Sequence, residues 1–165
     1  MGLFGKKNKD GNRSVNLSYI DGVEGYNKGT AIALSIDNEN QYLTVKPRVF
    51  KNPPVHLKFE QITGVNVVSE KDIIEKSKST VGRAIVGGVL LGRLGAIIGG
   101  MSGIGNKQKS ETHYYMVINY KSKNEEIKVL SFEIVGASLH WSSFVEELRS
   151  KINTQTLENS TEIYL

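Results

Sequence analysis

The chain contains no cysteine, so it can form neither disulfides nor a thiolate metal site, and it has no cysteine nucleophile. Proline and tryptophan are also scarce, at three and one in 165 residues. The three histidines, His56, His113 and His140, stand alone, with no i, i+4 pair among them. Acids such as Glu125 and Glu126, or Glu146 and Glu147, are consecutive, so they read as solvated turn and helix faces rather than paired catalytic carboxylates. No serine sits in a G-x-S-x-G setting. These absences lead us to expect a non-enzymatic protein with no cofactor and no metal.

What is present suits one ordinary globular domain with some additional chain: 39% hydrophobic residues, 23% charged residues and a mean hydropathy of -0.27. A disordered tail, a collagen-like rod and a polytopic membrane protein are excluded. The net charge is +4, and its distribution is uneven. Residues 1–13 carry +3 and residues 76–109 carry +6 with no acid, which leaves the remainder at −5. Two basic segments on a mildly acidic body suggest contact with an anionic surface such as lipid headgroups. Residues 1–14 read as a basic flexible N-terminus, too poor in apolar residues for a secretory signal. Gly2 would suit N-myristoylation, but Lys6 stands where that motif wants Ser or Thr.

Between residues 15 and 70 apolar residues recur with period two: Val15, Leu17, Tyr19; Ile32, Leu34, Ile36; Leu43, Val45; Val55, Leu57, Phe59; Val65, Val67. This marks half-buried strands, broken at the turn-forming stretches DGVEG (21–25), DNEN (37–40) and KNPP (51–54). The pattern resumes in HYYMVINY (113–120) and IKVLSFEI (127–134) around a polar hairpin. An antiparallel meander of five or more strands with one wet face is expected. Trp141, Phe144, Val145, Leu148 and Ile152 then form one apolar stripe on a helix of about four turns. Ser138 is the expected N-cap, with Ser143 and Glu146 as a capping-box alternative, and residues 154–165 read as a polar tail. Tyr114, Tyr115 and Tyr120 have too few cations beside them for nucleic-acid binding.

The order of strands, insert, strands and one terminal helix, with VHLKFEQITGVNVVSE (55–70) and the ending WSSFVEELRSKIN (141–153), resembles bacterial pleckstrin-homology-like (PH-like) domains. The resemblance covers residues 15–76 and 112–153 and implies an α+β, mainly β fold, a curved antiparallel sheet closed by one C-terminal helix. Such folds are binding platforms for lipid, peptide or self-association, so the fold does not select a function.

The insert, residues 77–111, holds the chemistry. Within TVGRAIVGGVLLGRLGAIIGGMSGIGNK (80–107) lie nine of the 17 glycines. On a helix, Ala84, Gly88, Gly92, Gly95, Gly99 and Gly103 share one stripe, with Ile85, Val89, Leu90, Leu94, Ile97 and Ile98 as membrane-facing aliphatics. In water each glycine costs a helix about 1 kcal/mol relative to alanine, whereas a bilayer enforces helix and lets glycine faces pack closely. The segment resembles the glycine zippers of membrane-inserting and pore-forming proteins. A phosphate loop is disfavoured because Asn106 follows Gly105 where that motif needs lysine. A glycine-rich loop, or a helical hairpin packed on the protein's own sheet, is the plainer alternative.

Arg93 bears on the geometry. One helix over 84–105 would span about 33 Å but place Arg93 near the bilayer centre, at a cost of about 2.5–3.5 kcal/mol. A break at GRLG (92–95) gives two helices of about nine residues, each roughly 13 Å long, and this inserted glycine-rich helical hairpin is the expectation. Lys76, Lys78, Arg83, Lys107 and Lys109 would meet headgroups, and Arg93 headgroups or a pore.

The expected protein is cytoplasmic and moves to, or is associated with, the inner face of the cell membrane. It would oligomerise on anionic lipid and permeabilise the membrane when clustered. The plan resembles membrane-disrupting effectors of prophages and mobile elements, which implies a phage-defence role with a ring-shaped phage structural protein as partner. A constitutive membrane adaptor and a soluble self-associating module are the alternatives.

Overall fold

The computed structural model describes residues 11–49, 52–79, 84–102 and 112–159. Nearly all the alternating segments are strands: β1 Ser14–Asp21, β2 Ala31–Asp37, β3 Tyr42–Pro47, β4 Val55–Lys58, β5 Ile62–Ser69, β8 Tyr114–Lys121 and β9 Ile127–Ile134. They form one antiparallel sheet in the order β4-β3-β2-β1-β9-β8-β5. The exception at Phe59 is a 3-10 turn, Phe59–Gln61, which is all that joins β4 to β5.

That short link dictates the shape. A flat seven-stranded sheet would hold its two edges about 29 Å apart, while a link of three residues reaches about 15 Å. The sheet therefore curls until its edges approach one another. Helix α3, Trp141–Asn159, packs against β5 and the 3-10 turn at this corner. Phe144, Val145 and Leu148 of α3 join Leu17, Leu34, Val45, Met116, Ile118 and Phe132 in the first core. Arg13 at the start of β1 pairs with Glu147 of α3.

Two local expectations change. Ser138 does not cap α3, which begins at Trp141; its buried hydroxyl instead donates to the Asn16 carbonyl and accepts the Val135 amide at 3.0 Å. The Ser143–Glu146 box likewise falls inside the helix. Helix α3 also continues past residue 153 to Asn159, where no glycine or proline stops it.

The expectation of one wet face fails for β8. Met116 and Ile118 enter the first core, whereas Tyr115 and Val117 enter a second core on the opposite face. That second core exists because the insert folds back over the sheet.

Candidate membrane and self-association site

Strand β5 leads into α1, Glu70–Ser79, whose first turn holds Glu70 and Asp72 and whose last turn, where the insert starts, holds Lys76 and Lys78, each complementing the helix dipole. The Ser69 hydroxyl accepts the Asp72 amide at 3.2 Å, and Ile73 is fully buried. From Ala84 the chain forms a small β-hairpin, β6 Ile85–Val86 and β7 Val89–Leu90, and then α2, Leu94–Ser102. The helical hairpin is thus half right. Residues 94–102 are helical, but 85–90 are not.

The reason lies in glycine chemistry. Gly87 and Gly88 have φ of +57° and +83°, the left-handed pair that a two-residue hairpin turn requires. Gly92 also has positive φ, at +56°, and turns the chain into α2 with its α-carbon against Val129. In water those glycines disfavour helix, and local turns use them better.

The glycine stripe therefore does not exist as a single face in this state. A Cβ at Gly95 would lie 2.1 Å from Ser77 Oγ and 2.9 Å from Ser77 Cβ, so this glycine lets α2 approach α1 closely. Gly88 and Gly99 are exposed, and a Cβ there would meet open space. Ala84 is buried and accepts the Leu91 amide at 2.9 Å, closing the hairpin base. Gly103 lies outside the described residues.

The aliphatics expected to face lipid are mostly occupied. Val89, Leu94 and Ile98 are buried in the second core with Leu91, Val68, Ile73, Tyr115 and Val117. Ile97 and Leu90 are partly buried, and Ile85 is exposed. Lys76 and Lys78 stand exposed on α1. Arg93 is 80% exposed, with Nη1 3.9 Å from Asp21 Oδ1, so it costs nothing here by burial. Arg83, Lys107 and Lys109 lie outside the described residues.

What pins the insert was not foreseen. The Asn119 side chain, buried on β8, accepts the Leu90 amide at 2.7 Å and donates to the Leu90 carbonyl at 2.9 Å, standing in for a neighbouring strand. Asn66 on β5 donates to the Gly87 carbonyl at 2.9 Å. The available signal was a lone polar residue amid the apolar run YYMVINY, where burial demands a partner. Burial, and then the carboxylates of Glu133 and Glu70, raise the pKa of Tyr115 beneath the insert.

Among the described residues no cluster of three or more His, Asp and Glu could hold a metal ion, and no helix is long and apolar enough to cross a membrane. His113 is engaged by Glu133 at 2.8 Å, and His56 lies 3.0 Å from the Thr44 hydroxyl.

No curated protein and no solved structure matches the chain. A family model described as "Glycine zipper containing PH domain" matches residues 20–140, most of the chain and the whole of the insert. With the sheet, the terminal helix and the glycine-rich insert in place, the chain belongs to the family of glycine-zipper-containing PH domains.

Proposed function

We propose that the protein is a non-enzymatic module that stores a membrane-seeking segment on its sheet and releases it into an anionic membrane when copies are clustered. The observation that carries this reading is that the insert is an added layer. The first core is complete with α3 and the seven strands, and the insert lies on the other face, held by a second core and two asparagine side chains.

Release would expose Val89, Leu91, Leu94 and Ile98, at roughly 1.5–3 kcal/mol each in water. Transfer into hydrocarbon recovers most of that apolar term, which favours a membrane as the destination. A single α2 of nine residues is roughly 13 Å long and reaches only part-way across a bilayer. Several copies together gain one another's glycine faces, and a multivalent template supplies the effective concentration. A ring-shaped phage structural protein is such a template, which makes abortive infection by membrane permeabilisation the cellular role at the inner face of the cell membrane. The burial of Val89, Leu94 and Ile98 equally favours a second reading, a soluble module whose insert never leaves the sheet.

Dye release from phosphatidylglycerol vesicles separates the two, with wild type beside Gly99→Leu and with or without clustering through a fused ring-forming tag. Release that needs clustering and is lost in Gly99→Leu supports the proposal. Intact vesicles with all protein in the supernatant refute it.

A further inference from the structure

We propose that residues 84–93 are a conformational switch, a β-hairpin while seated on the sheet and a helix once lifted off it, so that release extends α2 back to Ala84. The inference rests on the reading of the insert as releasable and names the form in which it enters lipid.

The hairpin has little to hold it together by itself. Strands β6 and β7 are two residues each and meet in two cross-strand pairs, Ile85 with Leu90 and Val86 with Val89. A hairpin of that size does not stand without a neighbour. The sheet supplies one: Asn119 of β8 satisfies both main-chain groups of Leu90, and Asn66 of β5 satisfies the Gly87 carbonyl. Lifting the hairpin off β8 removes these contacts together, whereas the hydrogen bonds inside α2 are local and travel with it.

Glycines alone interrupt the helix. Between Ala84 and Ser102 the left-handed positions are Gly87, Gly88 and Gly92. Proline, Asp, Asn, Ser and Thr, which stop or cap helices, are absent from 84–101. Helix α2 also begins where nothing in the sequence starts one: Leu91, Gly92 and Arg93 offer no capping oxygen, and the Arg93 cation stands at the positive end of the helix dipole. The chain is already turning there, with the Leu94 amide donating to the Leu91 carbonyl and the Ile97 amide to the Arg93 carbonyl, both at 3.0 Å. Rotation of Gly92 out of the left-handed region lets the helix propagate backward from this nucleus, without the cost of forming a new one.

Hydrocarbon favours that rotation, because the open edges of a two-stranded hairpin have no partners there and a helix satisfies its own main chain. The nine residues of α2 reach only part-way across a bilayer. A helix over 84–102 is about 28 Å long, close to the ~30 Å of the hydrocarbon core. Ala84, Gly88, Gly92, Gly95 and Gly99 come onto one face only in this longer form. Arg93 then falls near its middle, where a charge turns to a bundle interior or a hydrated cavity, so the long form needs neighbouring copies. The seated hairpin thus keeps the glycine face dismantled until copies meet.

The test records carbon chemical shifts of the isotope-labelled full-length protein in water, in lysophosphatidylglycerol micelles and, clustered through the ring-forming tag, in phosphatidylglycerol vesicles. In water, Ile85, Val86, Val89 and Leu90 should carry strand shifts and residues 94–102 helix shifts. In micelles and vesicles, helix shifts should run unbroken from 84 to 102. At a fixed detergent concentration Gly88→Ala should raise the ratio of helix to hairpin about 30–150-fold, since alanine is disfavoured in the left-handed region and favoured in a helix. Its Cβ meets open space, so no clash contributes. Gly88→Asn, which tolerates the left-handed region, should shift the ratio far less. Gly99→Ala, helical in both forms, should leave it unchanged.

Strand shifts that persist at 85–90 in micelles, in wild type and in Asn119→Leu alike, would overturn the proposal. So would disordered shifts there beside a helical 94–102, or equal responses to Gly88→Ala and Gly99→Ala. Micelles report the switch whether or not vesicles leak, so intact vesicles in the preceding experiment would sink the permeabilising function and leave the switch standing. Leakage with the hairpin intact would do the reverse.

Discussion

Gly95→Ala and Gly99→Ala should change stability in opposite directions, although both glycines lie on α2 four residues apart. At Gly95 the new Cβ meets Ser77 Cβ at 2.9 Å, an atom fixed to the α1 backbone that no rotamer change can move away. Overpacking of this kind costs about 1–3 kcal/mol, and the better helix propensity of alanine returns about 1 kcal/mol. A net loss of about 1 kcal/mol follows from those two terms. At Gly99 the Cβ meets open space, so the propensity gain of up to about 1 kcal/mol stands alone. Thermal unfolding followed by circular dichroism should separate the two variants by about 4–8 °C, at about 2–4 °C per kcal/mol for a chain of this size. Ser77→Gly should relieve the Gly95→Ala penalty in a double-mutant cycle, with a coupling of about 1 kcal/mol. Equal shifts of the same sign would refute the packing of α2 on α1. They would point instead to a continuous glycine stripe on one helix.

Asn119→Leu leaves the Leu90 amide and carbonyl without their partner, at about 1–3 kcal/mol for each buried group. Hydrogen exchange should rise across residues 85–98 while β1 to β3 stay protected; uniform acceleration would show the insert to be part of the global folding unit. Arg93→Ala should shift stability by less than about 0.5 kcal/mol, since its ion pair is long and exposed, and chemical denaturation reads this directly. Burial first raises the pKa of Tyr115, Tyr19 and Tyr120 above 10.0, so the folded state holds these protons more tightly than the unfolded chain. The stabilisation is complete below pH 10 and is lost as pH rises above it, so denaturant midpoints should fall there and fall less in Tyr115→Phe.

Strand positions, the terminal helix and the place of the insert were legible in the sequence because each rests on local periodicity. Alternation from Val15 to Val67 reports a sheet face, and the spacing from Trp141 to Ile152 reports a helix stripe, whatever else the chain does. Periodicity is silent on which surface covers a segment. For residues 84–102 the helical spacing of glycines pointed to one stripe, yet the left-handed pair at Gly87–Gly88 and the turn at Gly92 compete for the same residues. In water the turn wins.

The sequence by itself therefore determined an α+β chain with an antiparallel sheet, no thiol chemistry and an unusually apolar, glycine-rich insert. Only the tertiary structure decided that this insert folds over β5 and β8 as a second core, and that Asn119 and Asn66 hold it there. Those contacts join residues far apart in the chain, through side chains such as asparagine that local spacing does not mark. The free energy of such contacts comes from burial and hydrogen bonding between surfaces that meet only once the sheet has curled.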